Sequence, residues 1–518
     1  MDKSNKMEVN SAASAAAEGD IASYTEGDVD RLQSMGYVQT LERKFSLFGL
    51  IGICFSLTNS WWCVSAALVT GLGSGGSALL LYGTTLLFIV SLAIAVSLGE
   101  LVSAYPNATG QSFWVRELAP ASIARQASYT TGWLIWVGSV FACTSVASAM
   151  GSALVGTYAL THPDFVPQTW HVFVAFQVFN MFVFAFNCYG PILPKLGQVF
   201  LLVSLASFGA ILVTVPAVAD KHQPATFVFA TFTNLTGWSN NFMAFAVGLI
   251  NANWGFSCLD SAVHLAEETA HPERVIPLVI VAVVVIGFVT SFCFLIAMLF
   301  SIQSIEKFLE AAVPIIELFS QVCPATAGAV VLESLIIATG VGCLMGCQTW
   351  SSRLLWSFAR DGGVPFHSRL EMVDSRLDVP LAAHMTNTAL VAIVGCIYMA
   401  STTAFNAMII ACIVFPNLSY AVPILSLLYH GRTNLIHGPF WLGRLGLVCN
   451  IVALLWIIFT LVFYSFPAVM PVSTGNMNYV CAIYGLVGII ISIDWFSRGK
   501  KVYRSAMNAE GEAAAMTN

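Results

Sequence analysis

Charge is what this sequence has least of. Asp, Glu, Lys and Arg make up 9% of its 518 residues, against about a quarter in soluble domains. With 57% apolar residues and a mean hydropathy of +0.79, the chain cannot cover itself with a water-soluble surface. A basic field is missing as well: the formal charge is −6, so no nucleic-acid partner is expected. Histidine is sparse, and the nine present are dispersed with no HExxH-like spacing, which removes a common metalloenzyme pattern. The thirteen cysteines stand singly, nearly all inside apolar runs. Even the nearest two, Cys343 and Cys347, are one helical turn apart in a hydrophobic segment and read as packing residues. No catalytic group, metal or cofactor is expected, and the polar first 44 residues hold no cleavable signal.

What the chain does have is hydrophobic length. Apolar runs long enough to cross about 30 Å of hydrocarbon recur from Ser46 onward. They fall near 46–70, 77–104, 128–159, 168–190, 195–218, 241–266, 276–302, 328–358, 382–400, 404–428, 444–467 and 477–497. They lack the two-residue alternation of barrel strands, and backbone in lipid must pair internally, so the spans are helices. The expected fold is an all-α integral membrane protein with twelve transmembrane helices, embedded in a lipid bilayer. Residues 1–44 read as a disordered cytosolic tail, although 32–45 can form a short interfacial segment. Residues 45–497 are the transmembrane domain and 498–518 a short cytosolic tail. With the N-terminus inside, only Lys221 and Lys307 of the 21 basic residues lie in outside loops, as the positive-inside rule requires. Of three glycosylation sequons, Asn107 falls inside and Asn417 within a span, which leaves Asn234 as the candidate.

Two spans carry polar interruptions at similar depth. The first reads Thr58-Asn59-Ser60-Trp61-Trp62, and the sixth Asn251-Ala252-Asn253-Trp254-Gly255-Phe256-Ser257. A buried amide is costly in hydrocarbon unless partnered, and glycine weakens a helix where the asparagines cluster. Broken helices 1 and 6, one in each five-helix half, point to a 5+5 inverted-repeat transporter with two extra C-terminal helices. The competing reading is that these polar residues only knit helices together.

Several further motifs make the chain recognisable. They are Gly36-Tyr37 with Leu41 to Ser46, Thr58 to Trp61, Gly99-Glu100-Leu101, Ser103 to Ala108 with Gly110-Gln111, Glu267-Glu268-Thr269, and Phe358 to Pro365. With them, from about 32 to 495, the chain resembles the amino acid–polyamine–organocation transporters, and among these the fungal choline and 4-aminobutyrate permeases. The resemblance implies secondary transport by alternating access, with protons as the coupling ion and the plasma membrane as location. It places a solute between the first and sixth helices, with the third, eighth and tenth also lining the site. Carried over by motif, the substrate-binding candidates are Thr58, Asn59 and Ser60 from the first break and Asn253, Trp254, Gly255 and Phe256 from the second.

The solute itself can be argued from chemistry. Many amino acid carriers of the superfamily have a glycine-rich first break whose bare N–H groups hold a carboxylate, whereas this chain has Thr58-Asn59-Ser60. A quaternary ammonium has no N–H to donate and is held by aromatic faces. Trp61, Trp254 and Phe256 are the candidate cage, with Asn59 or Asn253 meeting a hydroxyl. The expected solute is choline or a related small organic cation. The alternatives are 4-aminobutyrate or another amino acid, and a nutrient sensor that binds without transporting. Asp260 and His264, four apart on the sixth helix, are candidates for proton coupling, or else a structural pair. Glu100 closes the second helix where the helix dipole disfavours a negative charge. A cationic partner is therefore expected, Arg353 or Arg360, in an inner gate or a plain anchor. Glu333, near the outer end of the eighth helix, reads as interfacial.

Overall fold

The computed structural model describes residues 27–503, apart from residue 312, and among these it is helical with two isolated bridges and no strand. The first span is two helices, α1 (Leu47–Thr58) and α2 (Ser60–Ala78). Then follow α3 (Thr84–Ala104), α4 (Ala124–Thr161), α5 (Thr169–Asn187) and α6 (Leu193–Val218). The sixth span opens with α7 (Asn241–Asn253). After it come α8 (Pro272–Ser301), α9 (Thr326–Arg360), α10 (Leu381–Ala400), α11 (Thr402–His430), α12 (Arg444–Phe463) and α13 (Val480–Asp494). Eleven helical segments among the described residues are long and apolar enough to cross a membrane. The sixth expected span is not one of them, because its α-helix stops after 13 residues.

Helices meet in a regular scheme. α3 packs on α8, α4 on α9 and α5 on α10, each joining a span to the one five further along. The first and third spans are buried along most of their length, whereas the fifth and twelfth expose most of theirs. What the outer helices expose is apolar: Val199, Leu202 and Val213 on α6, and Leu486, Ile489 and Ile493 on α13. Such a surface suits lipid, and the chain is a multi-pass membrane protein.

Three sequence expectations shift at their edges. The glycine-rich 71–76, left between the first two expected spans, is helical: α2 runs through it to a kink at Gly76, whose φ is 68° and which packs against the backbone of Thr231 and Thr233. The ordered chain also begins before residue 45. Leu32, Tyr37, Leu41 and Phe45 are buried, and the Arg31 guanidinium donates to the Ala104 carbonyl at 3.0 Å. Beyond the last span, Arg498 donates to the carbonyls of Gly362 and Gly363, and the Tyr503 hydroxyl meets Ser128 at 2.7 Å. Residues 1–26 and 504–518 lie outside the described residues.

Candidate functional site

The first span breaks at a single residue. Asn59 has φ 29° and ψ 59°, a left-handed conformation that asparagine tolerates better than most side chains. The sixth breaks more extensively. α7 passes into a 3-10 turn, Trp254–Phe256; Ser257 is extended, Cys258 has φ 59°, and a second 3-10 stretch, Val263–Glu268, closes the segment.

The two breaks touch. The Ser60 hydroxyl donates to the Gly255 carbonyl at 2.5 Å. A Cβ on Gly255 would lie 2.9 Å from the Ser60 carbonyl oxygen, so only glycine allows this approach. Beside the contact lies a small cavity of ≈ 10 Å³, room for about one water, lined by Thr58, Trp254, Ser257 and Cys258 with Ala142 and Val146 of α4 and Cys347 of α9. The Trp254 ring lies against Trp62 at 5.6 Å and tilted by 47°, and its indole N–H donates to Ser145 of α4 at 3.2 Å.

The other expected binding residues are distributed around this centre. Asn59 is fully buried; its side-chain oxygen accepts from Ser204 at 3.2 Å, and its amide nitrogen has no partner among the described residues. The Asn253 amide nitrogen is likewise unpartnered there, and Phe256 is buried. Trp61 turns away from the cavity. Its ring packs between Phe208 of α6 and Phe294 of α8, and its N–H donates to Ser204. Trp62 takes the place beside Trp254, because the turn at Asn59 re-phases the helix that follows.

Below the cavity, the Asp260–His264 pair expected from spacing is present, but on irregular backbone rather than a helix face. His264 Nε2 lies 2.8 Å from Asp260 Oδ2, and both side chains are fully buried. Asp260 also accepts from Gln111 at 2.9 Å and from the Tyr420 hydroxyl at 2.5 Å. His264 Nδ1 faces the Ala108 carbonyl at 2.7 Å. A carbonyl can only accept, so Nδ1 carries a proton, and one further proton lies between Nε2 and the Asp260 carboxyl. Neither Gln111 nor Tyr420 was singled out as a proton-site residue, since each stands about 150 residues away in sequence from Asp260.

An ion-pair cluster closes the same end of the bundle. Arg353 of α9 binds Glu268 at 2.9 Å, and Arg360 binds Glu267 through two hydrogen bonds of 2.8 and 2.6 Å. Lys44 bridges Glu268 and Asp378. Burial pushes the Glu268 carboxyl up, but Arg353 and Lys44 outweigh it and hold it below its ordinary value. Glu100 does have a cationic partner, but neither of those expected: Arg353 and Arg360 are taken up by Glu268 and Glu267. Arg432, from the turn after α11, grips it at 2.8 and 3.0 Å, tying α3 to the α11–α12 connection. Glu333, near the start of α9, is fully buried in the protein. At the opposite end, the Asn234 amide donates to the Trp238 carbonyl at 2.8 Å.

Comparison with known proteins decides the family. The model of the amino acid permease family matches residues 45–487. The chain belongs to that family. It is 45% identical to a choline transporter of Saccharomyces cerevisiae over 95% of this chain and 88% of that protein. A 7-keto 8-aminopelargonic acid transporter of the same yeast is 32% identical over 87% of this chain and 91% of its own length. A swainsonine transporter of Arthroderma benhamiae is 34% identical over 90% and 93%. This permease thus stands among carriers of varied organic solutes.

Proposed function

We propose that this permease imports choline, or a closely related small organic cation, across the plasma membrane by proton-coupled alternating access. The carrying observation is Trp254: it lines the cavity at the sixth-span break and packs tilted against Trp62. An aromatic ring at a site lined otherwise by small and aliphatic side chains, with a second ring packed behind it, suits a quaternary ammonium, which offers no hydrogen bond and is attracted to aromatic faces. The 45% identity with a choline transporter supports the same solute. Phe256, Thr58 and the amides of Asn59 and Asn253 complete the binding set, the amides being free to meet a hydroxyl.

The architecture proposed with it is twelve spans, the broken sixth among them, as two inverted halves of five plus two. The pairing of α3 with α8, α4 with α9 and α5 with α10 supports a five-span repeat. Both termini are cytosolic, so the cluster of Lys44, Glu267, Glu268, Arg353 and Arg360 is the inner gate, closed here. The cavity is far too small for choline, which fits a conformation shut on the site. Proton coupling is placed at Asp260 and His264.

The test is uptake of labelled choline into cells lacking their own carriers, with amino acids as competitors. Saturable choline uptake supports the reading; amino acid uptake that choline cannot compete with overturns it. A second reading, transport of 4-aminobutyrate, draws on the same unpartnered amides, which could hold a carboxylate. The competition separates the two.

A further inference from the structure

Six acidic side chains are buried among the described residues, and five of them are matched. Glu100 has Arg432, Asp260 has His264, Glu267 has Arg360, Glu268 has Arg353, and Asp361 accepts from the Tyr37 hydroxyl. Glu333 has nothing: it is fully buried, and neither carboxyl oxygen has a hydrogen-bond partner among the described residues.

Its place on α9 gives this isolation a meaning. Three residues further along, the Ile336 carbonyl accepts the Trp62 indole N–H at 2.9 Å. Seven residues along, a Cβ on Gly340 would lie 3.0 Å from Trp62 and from Met150 of α4. Seven residues are nearly two helical turns, so Glu333 shares the face that meets Trp62, about 10 Å nearer the outer end of α9. Along α9 the order is Glu333, then the Trp62 contacts at Ile336 and Gly340, then Cys347 at the cavity.

We propose that Glu333 is an outer cation site, the carboxylate that receives the solute's positive charge before the two tryptophans do. This rests on the reading of the solute as a choline-like cation and of α9 as starting outside. A carboxyl enclosed alone takes its neutral form rather than carry an unmatched charge, and an arriving cation is the partner that would draw it into the ionised form. A quaternary ammonium leaves water most readily along a path that offers a counter-charge first and aromatic faces next.

The experiment compares choline with its neutral carbon isostere, 3,3-dimethylbutan-1-ol, in the wild type, Glu333→Gln and Glu333→Asp, with uptake normalised to protein at the surface. Glu333→Gln should raise the choline KM about tenfold or more, the scale of one lost charged contact. Inhibition by the neutral isostere should be unaffected, and Glu333→Asp should restore much of the choline affinity. An unchanged choline KM, or equal weakening of both ligands, overturns the assignment. Should Glu333→Gln fail to reach the surface, labelling of wild-type Glu333 by a hydrophobic carbodiimide, read by peptide mass, decides. Protection by choline but not by the isostere supports the site, and labelling indifferent to choline overturns it. A wild type that takes up no choline overturns the function reading and this site together. Choline uptake by the wild type with an unaffected Glu333→Gln variant overturns this site alone.

Discussion

The Ser60 hydroxyl donates to the carbonyl of Gly255 across 195 residues of sequence, so the two helix breaks are held against each other directly. Their relative position is set by a backbone contact as well as by side-chain packing, because Gly255 leaves no room for a Cβ beside the Ser60 carbonyl. Gly255→Ala should therefore lower uptake per molecule at the surface by about tenfold, the scale of an overpacked contact of 1–3 kcal/mol. Ser60→Ala removes one hydrogen bond of about 1 kcal/mol and should cost only about fivefold. Equal uptake by Gly255→Ala and wild type would mean that the two breaks need not approach during transport.

Trp254 offers a sharper test of the solute. Trp254→Leu keeps the site apolar but removes one aromatic face, which is worth about 0.5–2 kcal/mol to a cation. The choline KM should rise roughly 2- to 30-fold, while surface abundance stays near wild type. Trp61→Leu should act differently, through the packing of α2 on α6 and α8. Its signature is lower thermal stability of the purified protein with little change in KM.

The ion-pair cluster around Glu268 makes a prediction about pH. Glu268 is held below its ordinary value by Arg353 and Lys44 against the opposing effect of burial. A carboxyl depressed in the folded state contributes its stabilisation fully above its unfolded value, about 4.3, and loses it as pH falls through the lower folded value. Between pH 5 and 8 this contribution is constant. Glu268→Gln should therefore reduce thermal stability by the same amount throughout that range, on the order of 3–5 kcal/mol for a broken buried pair. The gap between variant and wild type should shrink only in stronger acid. A gap that already narrows between pH 7 and 5 would mean that Glu268 is not ionised in the closed state.

Much of this architecture was legible because hydrocarbon imposes a simple rule. A run of twenty apolar residues must be a helix, and an amide or glycine inside it marks where the helix gives way. Thr58-Asn59-Ser60 and Asn253-Trp254-Gly255 could be found that way, since their signal is local. Partners could not. Glu100 and Arg432 are 332 residues apart, and nothing in either neighbourhood favours that pairing over Arg353 or Arg360. Residues 27–45 read as part of a tail because they are polar, yet their charges are matched by Glu268, Asp378 and the end of α3, all distant in sequence. The choice between Trp61 and Trp62 was also out of reach. It depends on how far one left-handed residue rotates the helix that follows, which no periodicity contains.

The buried pair at Asp260 carries the last prediction. Both His264 nitrogens face acceptors, Ala108 on one side and Asp260 on the other, so the pair holds a proton that the network needs. Removing it would leave a buried nitrogen lone pair against an oxygen and would loosen the segment that joins the sixth-span break to the ion pairs of Glu267 and Glu268. Coupling by this route requires the proton, whereas binding the solute at Trp254 does not. Asp260→Asn and His264→Gln should therefore abolish accumulation of choline against a gradient while leaving exchange of internal for external choline within about threefold, the effect of losing one modest hydrogen bond. Preloaded vesicles with an imposed pH difference measure both quantities in one preparation. If both variants still concentrate choline under that pH difference, the coupled proton travels elsewhere. If exchange fails together with accumulation, the pair serves to hold the sixth span in shape.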